Sequence, residues 1–197
     1  MRVVWDVAGV DEAGRGALAG PVVAAACILR QGVSIVVIDD SKKLTPKQRM
    51  RLYKELTSHP GVVYAVGVVD AVVIDKINIL QATFQAMVSA VDQLSSPPLK
   101  VLVDGNMAPT FRVPAETIIG GDAKDLSIAA ASVLAKVTRD MIMDKYHMTL
   151  PAYGFNKNKG YGTREHLAAI RECGPSPIHR YSFAPIKPEI QVTRTHV

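Results

Sequence analysis

Apolar positions along this chain fall into short runs broken by glycine, proline and polar turns, and further on into runs at helical spacing. Val3 to Val10 and Pro21 to Leu29 are rich in Val and Ala and read as two strands flanking the turn Gly14-Arg15-Gly16. A third apolar run, Val33 to Ile38, ends in the polar loop Asp39-Asp40-Ser41-Lys42-Lys43. Thr45-Pro46-Lys47-Gln48 then has the form of a capping box, with Thr45 as cap and Gln48 reaching back. Leu52 and Leu56, four apart, give the following helix one apolar face. Gly61 to Val69 is another strand. Between Asn78 and Leu94 the positions Ile79, Ala82, Ala86, Val88 and Val91 fit a helix packed on a sheet, which Ser95-Ser96-Pro97-Pro98 stops. Val101-Leu102-Val103 forms a short buried strand ending at Asp104-Gly105, and Glu116 to Ile119 forms another ending at Gly120-Gly121-Asp122. From Leu126, Ala129, Ala130, Val133, Val137 and Met141 repeat at helical spacing, and the Ala run there implies close packing. Residues 148–162 read as a loop, 164–173 as a short helix, and 184–197 as a partly loose tail. Strands joined by turns, followed by strands alternating with helices, predict an α/β fold with a mixed sheet flanked by helices. No internal repeat or separating linker stands out, so 1–197 reads as one domain.

Composition narrows the class. Hydrophobic residues make up 48% and charged residues 21% of the 197, which fits an ordinary globular protein rather than a disordered one. Asp6 comes too early for a secretory signal, and the apolar stretch from Pro21 to Leu29 is too short to span a bilayer. A cytoplasmic protein is expected, with Cys27 and Cys173 as free thiols. The net charge of +5 is unevenly placed: residues 1–144 hold 15 Lys and Arg against 15 Asp and Glu, whereas 145–197 hold 8 against 3. That asymmetry favours a polyanionic partner for the C-terminal part; solvated surface lysines are the competing reading.

Candidate chemistry lies where apolar runs end beside glycine. Asp11 and Glu12 follow the first strand, Asp104 follows Val101-Leu102-Val103, and Asp122 follows Ile118-Ile119-Gly120-Gly121. Carboxylates gathered from separate strand ends repel one another and call for a compensating cation; hard oxygen donors select Mg²⁺ or Mn²⁺ over zinc. Taken singly, Asp122 also reads as a cap for the helix that follows, and Asp104-Gly105 as a plain turn. Adjacent strand residues point to opposite faces, so Asp11 and Glu12 are expected to share a site only if the strand ends or bulges there. Gly14-Arg15-Gly16-Ala17-Leu18-Ala19-Gly20 is no dinucleotide-binding turn, since Pro21 and a Val/Ala run follow where a helix should start.

Val10-Asp11-Glu12-Ala13-Gly14-Arg15-Gly16 with Leu18-Ala19-Gly20-Pro21-Val22-Val23 closely resembles the opening signature of the ribonuclease HII family. Further segments agree in order: Asp40-Ser41-Lys42-Lys43-Leu44-Thr45, Val103-Asp104-Gly105-Asn106, and Gly121-Asp122 leading into Ser127-Ile128-Ala129-Ala130-Ala131-Ser132 and Ala135-Lys136. Asn158-Lys159-Gly160-Tyr161-Gly162-Thr163 and His179-Arg180 complete a match over roughly residues 7 to 185. The resemblance implies a ribonuclease H-like fold with a helical C-terminal extension, and catalytic metal binding by Asp11, Glu12, Asp104 and Asp122, with two Mg²⁺ or Mn²⁺ ions during the reaction. The implied reaction is hydrolysis 5′ to ribonucleotides in RNA/DNA hybrids and in duplex DNA with embedded ribonucleotides, leaving 5′-phosphate and 3′-hydroxyl ends. The implied substrate-binding residues are Gly14, Arg15 and Gly16, whose backbone reads a ribose 2′-hydroxyl, and Tyr161, which stacks on the next deoxyribose. Lys42, Lys43 and Lys136 are implied at phosphates, and His179 and Arg180, in a matching segment, are implied at the substrate. Ala17 departs from the family, which usually has proline there.

Two other readings stay open at this point. A ribonuclease HIII-like enzyme shares the core but carries a substrate-binding domain before the first carboxylates, where here Asp11 is preceded by ten residues. A nucleic-acid-binding module without catalysis is the other. A monomer without a clear sliding-clamp motif is expected.

Overall fold

The computed structural model describes residues 6–33 and 44–186. The run Val33 to Ile38 past its first residue, the phosphate candidates Lys42 and Lys43, and the tail beyond 186 lie outside the described residues. Five strands form one sheet: β1 (Val7–Ala13), β2 (Val22–Leu29), β3 (Val62–Val69), β4 (Lys100–Asp104) and β5 (Ala115–Ile118). Their spatial order is β3-β2-β1-β4-β5, antiparallel from β3 to β1 and parallel from β1 to β5. This is the mixed, helix-flanked sheet that the hydrophobic pattern predicts.

Alternation along the central strands sends side chains to two separate cores. Ala8 and Val10 of β1, the even residues 22–28 of β2 and Val101 and Val103 of β4 pack against α2 (Ala71–Asp92). On the other face Ala13, Ala25 and Cys27 meet α1 (Pro46–Ser58) and α3 (Leu126–Thr149). Both faces of β1 and β2 are buried, which explains their nearly continuous apolar sequence. Small residues let α3 lie directly on β1. A methyl group at Gly9 would sit 2.1 Å from the carbonyl carbon of Ser127, so the contact admits only glycine.

Helix ends follow local chemistry. The Thr45 side chain accepts from the Gln48 N–H while Gln48 accepts from the Thr45 N–H, the reciprocal arrangement expected at the start of α1. Leu52 and Leu56 are its buried residues. Helix α2 begins earlier than its periodicity indicates: Asp70 caps it, and Asn78, at φ 67°, interrupts it. Asn78 then accepts from the Gln81 N–H and restarts the helix, so the expected start is an internal cap. The stretch expected as a loop at 148–162 contains a 3-10 turn at Pro151–Tyr153 and a one-turn helix, α4 (Phe155–Asn158). The short helix before the C-terminal segment, α5, spans Arg164–Cys173. Both cysteines are free. Among the described residues no helix is long and apolar enough to cross a membrane.

Candidate active site

Strand β1 neither ends nor bulges at its two carboxylates. Its register with β2 runs unbroken from Ala8↔Ile28 to Ala13↔Val23, through Asp11↔Ala25 and Glu12↔Ala24. The strand is regular through both residues and ends just after them, at Ala13, and the sheet's outline is what lets the two side chains approach one another. On its other edge β1 pairs with β4 only as far as Val10↔Val103. Beyond that point the edge of β1 is free, and residues from opposite faces can converge around it. Asp11 and Asp104 follow a directly paired couple and so leave the same face, toward α3. Glu12 leaves the opposite face, beside Thr83, Phe84 and Met87 of α2 and next to Asp104 and Gly105.

These carboxylates feel one another. The Asp11 carboxyl is pushed up to about 7, first by burial and then by Glu12, with Asp104 adding and a hydrogen bond from the Ser132 hydroxyl opposing. Glu12 is also raised, by burial and by Asp104, against the pull of Arg15, whose guanidinium lies 3.2 Å away. One Asp104 oxygen accepts the Gly121 N–H at 2.7 Å, which ties the end of β4 to the turn after β5. Asp122 is buried in that turn, Gly121–Ala123. Its reading as a helix cap is filled by another residue: Asp125 caps α3, accepting from the Ser127 and Ile128 N–H groups. Among the described residues, no three or more His, Cys, Asp or Glu side chains are gathered in a group that could hold a metal ion as they stand.

A cleft of about 440 Å³ opens beside Glu12, lined by Gly14, Arg15, Gly16, Ser132, Lys136 and Tyr161 among others. Sequence-distant candidates thus meet in one cavity. The Lys136 ammonium sits on Asp140 at 2.6 Å within it. Arg49 also lines it, a residue that sequence reading missed and that carried no signal beyond its charge.

The glycine turn is held from below by two buried arginines. Arg180, 0% exposed, donates to the Gly14, Arg15 and Gly20 carbonyls at 2.7–3.1 Å. Arg139, also 0% exposed, donates to the carbonyls of Pro21, Ala19 and Lys159. Gly14 lies against Arg139: a methyl there would approach Nε to 2.0 Å, and its φ of +95° also favours glycine. Burial lowers both guanidinium pKa values, that of Arg180 to about 9, which leaves it charged at neutral pH. His179 is 1% exposed and Arg180 none, so the side chains expected at the substrate lie inside the protein, behind the turn. Arg139 was missed by the sequence reading, although it stands seven residues after Ser132 and three after Lys136 on α3, the spacing of one helix face.

Tyr161 belongs to a loop docked on the same turn. The Gly160 carbonyl accepts from the Leu18 and Ala19 N–H groups at 2.8 and 3.3 Å, and the Tyr161 ring lies 5.3 Å from the Arg139 guanidinium carbon. The ring is 37% exposed, half in the cleft and half in the protein.

The family model for ribonuclease HII matches residues 8–186. A ribonuclease HII of Chlamydia trachomatis serovar A is 57% identical over 185 residues, covering 94% of this chain and 85% of its own. One from Desulfitobacterium hafniense is 51% identical, covering 94% and 71%. Among solved structures, the ribonuclease H2 of Pyrococcus horikoshii superposes with a TM-score of 0.74 at 28% identity, covering 92% of this chain and 95% of that one. The mixed five-stranded sheet with its flanking helices is a ribonuclease H-like fold, and the protein is a ribonuclease H enzyme. Within that class, the chain belongs to the ribonuclease HII family.

Proposed function

We propose that this enzyme cuts the phosphodiester bond on the 5′ side of ribonucleotides, in RNA/DNA hybrids and in duplex DNA with embedded ribonucleotides, leaving 5′-phosphate and 3′-hydroxyl ends. One observation carries the reading. Glu12, which feels the charges of Asp11 and Asp104, lines the same cleft as a glycine turn and a half-exposed tyrosine, so the acidic residues adjoin surfaces suited to sugar recognition.

Asp11, Glu12, Asp104 and Asp122 would hold two Mg²⁺ or Mn²⁺ ions. The fit rests on donor chemistry: these groups are oxygen donors, and burial together with mutual repulsion leaves Asp11 in need of positive charge. When bound, such ions supply charge neutralisation at the phosphate and activation of water. The chain's own residues do the selecting. Carbonyls of Gly14 and Arg15 are drawn inward by Arg180, which sets the turn's backbone in one conformation before substrate arrives. Glycines without side chains at 14 and 16 let that backbone approach a ribose 2′-hydroxyl, and a sugar lacking it leaves polar groups unpaired. The Tyr161 ring offers a flat apolar face to the neighbouring deoxyribose. Lys136, in the same cleft, is suited to a phosphate.

Mapping the cut in duplex DNA with one ribonucleotide tests the reading. A single incision 5′ to the ribonucleotide, dependent on Mg²⁺ or Mn²⁺, is expected. Binding without incision would point instead to a module that has lost catalysis.

A further inference from the structure

Behind the Tyr161 loop lie two buried histidines that the reaction does not use. Their ring nitrogens Nε2 face each other at 3.0 Å. The outer nitrogens settle which of them carry protons. His166 Nδ1 is 2.9 Å from the Tyr161 carbonyl oxygen, which can only accept, so His166 carries its proton there. His179 Nδ1 accepts the Ser176 N–H at 2.9 Å and therefore has none. In neutral rings His166 Nε2 is then a bare acceptor and His179 Nε2 a donor, which is what the central contact requires. The chain of hydrogen bonds runs one way: Ser176 N–H to His179, His179 to His166, His166 to the Tyr161 carbonyl.

We propose that His166 and His179 form a neutral hydrogen-bond relay that fixes the backbone of Tyr161, which makes both of them positioning residues for recognition of the RNA-to-DNA step. The proposal rests on Tyr161 reading the deoxyribose. Three further contacts agree with it. Arg139 holds the Lys159 carbonyl and lies under the Tyr161 ring, and the Tyr161 carbonyl also accepts the Thr163 N–H at 2.8 Å, so the relay adds to that carbonyl a side-chain donor from α5, outside the loop's own backbone. Tyr153 and Phe155 pack their rings against both histidines, which leaves the pair little room to re-orient. The backbone beside His179 bridges to Ala19, so one short segment ties the relay to the glycine turn. A proton added to His166 would set two N–H groups against each other at the centre, and one added to His179 would go to Nδ1, against the Ser176 N–H. Tyr153 is the titratable group facing the pair, with its hydroxyl given to the Gly174 carbonyl, and the Arg180 guanidinium is engaged by the turn. Burial depresses both histidines, His179 to about 4, so the relay stays neutral at physiological pH.

Nitrogen-15 NMR of the wild-type enzyme distinguishes the tautomers directly. The Nδ1–H form of His166 and the Nε2–H form of His179, both neutral at pH 6, are expected; the reverse pair, or a charged ring, overturns the relay. Function is read as the ratio of cleavage at a single embedded ribonucleotide to cleavage of a continuous RNA/DNA hybrid. H166F removes the donor to Tyr161 and should lower that ratio by on the order of tenfold, the scale of one lost buried hydrogen bond. H166N, whose amide can reach the Nδ1 position, should recover much of it. Y161A is measured alongside. If Y161A lowers the ratio and H166F does not, the positioning role is wrong; if Y161A itself leaves the ratio unchanged, the reading of Tyr161 fails first. In the Y161A background H166F should lower the ratio no further, and an undiminished additional loss would mark a general structural role.

Discussion

Asp11 sits where a carboxylate is least comfortable, buried on a central strand with Glu12 next to it and Asp104 at the end of the neighbouring strand. A residue that stabilised only the fold would not be acidic there, so the cost points to function. Asp11→Asn keeps the shape and the Ser132 contact while removing the charge. It should abolish cleavage, measured with Mg²⁺ or Mn²⁺ at saturating substrate, and should leave metal-free stability unchanged or raise it by up to about 1 kcal/mol, since a buried repulsion is relieved. Cleavage near the wild-type rate would show that Asp11 holds no metal. Tyr161 makes a parallel case with a half-exposed ring. Tyr161→Ala should lose far more activity on a single ribonucleotide than it loses in thermal stability, and matched losses would make the ring a packing residue.

Among the elements, the turn from Gly14 to Pro21 is shaped by side chains far away in sequence. Arg180 and Arg139 supply the donors that a turn of this form otherwise lacks, and lysine cannot reproduce their fork. Arg180→Lys should cost about 2–3 kcal/mol in urea unfolding, the scale of hydrogen bonds to a charged group that are lost or left unmade. A change below the measurement error would mean the turn holds itself. Distance along the chain also decides what could be read from it. Capping of α1, the strand ends at Asp104 and the apolar face of α3 depend on neighbours within a few residues, and all were legible. The start of α2 was not, because Ala71-Val72-Val73-Ile74 is a continuous apolar run rich in β-branched residues that suits a strand as well, and the cap Asp70 is what marks it as helix. Nor was the inward placement of Arg180, since its partners Gly14, Arg15 and Gly20 lie near the other end of the chain, nor that of His179, whose partner His166 is met only once α5 is folded back. An arginine in a basic segment reads as surface until the carbonyls it serves are known.

For the molecule as a whole, charge and pH behaviour are set by which ionisable groups are inside. The C-terminal excess of positive charge is thinner at the surface than its count, because Arg180 is buried and the Lys159 ammonium rests on Asp144. Neutralising Lys157, Lys159 and Arg164 together should still weaken substrate binding and reduce the slope of log affinity against log salt, by about 0.9 for each duplex phosphate that is no longer neutralised. An unchanged slope would assign these charges to solvent. Protons act through the histidine pair. The folded pKa of His179, about 4, lies below its ordinary 6.5, so between those values the unfolded chain binds the proton first. Its contribution to stability is complete above about 6.5 and is lost as the pH falls toward about 4, with a slope of up to about 1.4 kcal/mol per pH unit for one proton. Urea midpoints at stepped pH should fall more steeply for wild type than for His179→Asn, and equal slopes would contradict the neutral relay. In the function proposed above, these features serve one arrangement, in which a prearranged turn and a pinned tyrosine would present a ribonucleotide to the acidic edge of the sheet. Its most direct test is incision of a duplex DNA containing a single ribonucleotide, run beside the same duplex without it, with end-group analysis of the products. One cut 5′ to the ribonucleotide, with 3′-hydroxyl and 5′-phosphate ends and no cut in the all-DNA duplex, is the expected result; a cut on the 3′ side, or equal cutting of both duplexes, would contradict the account.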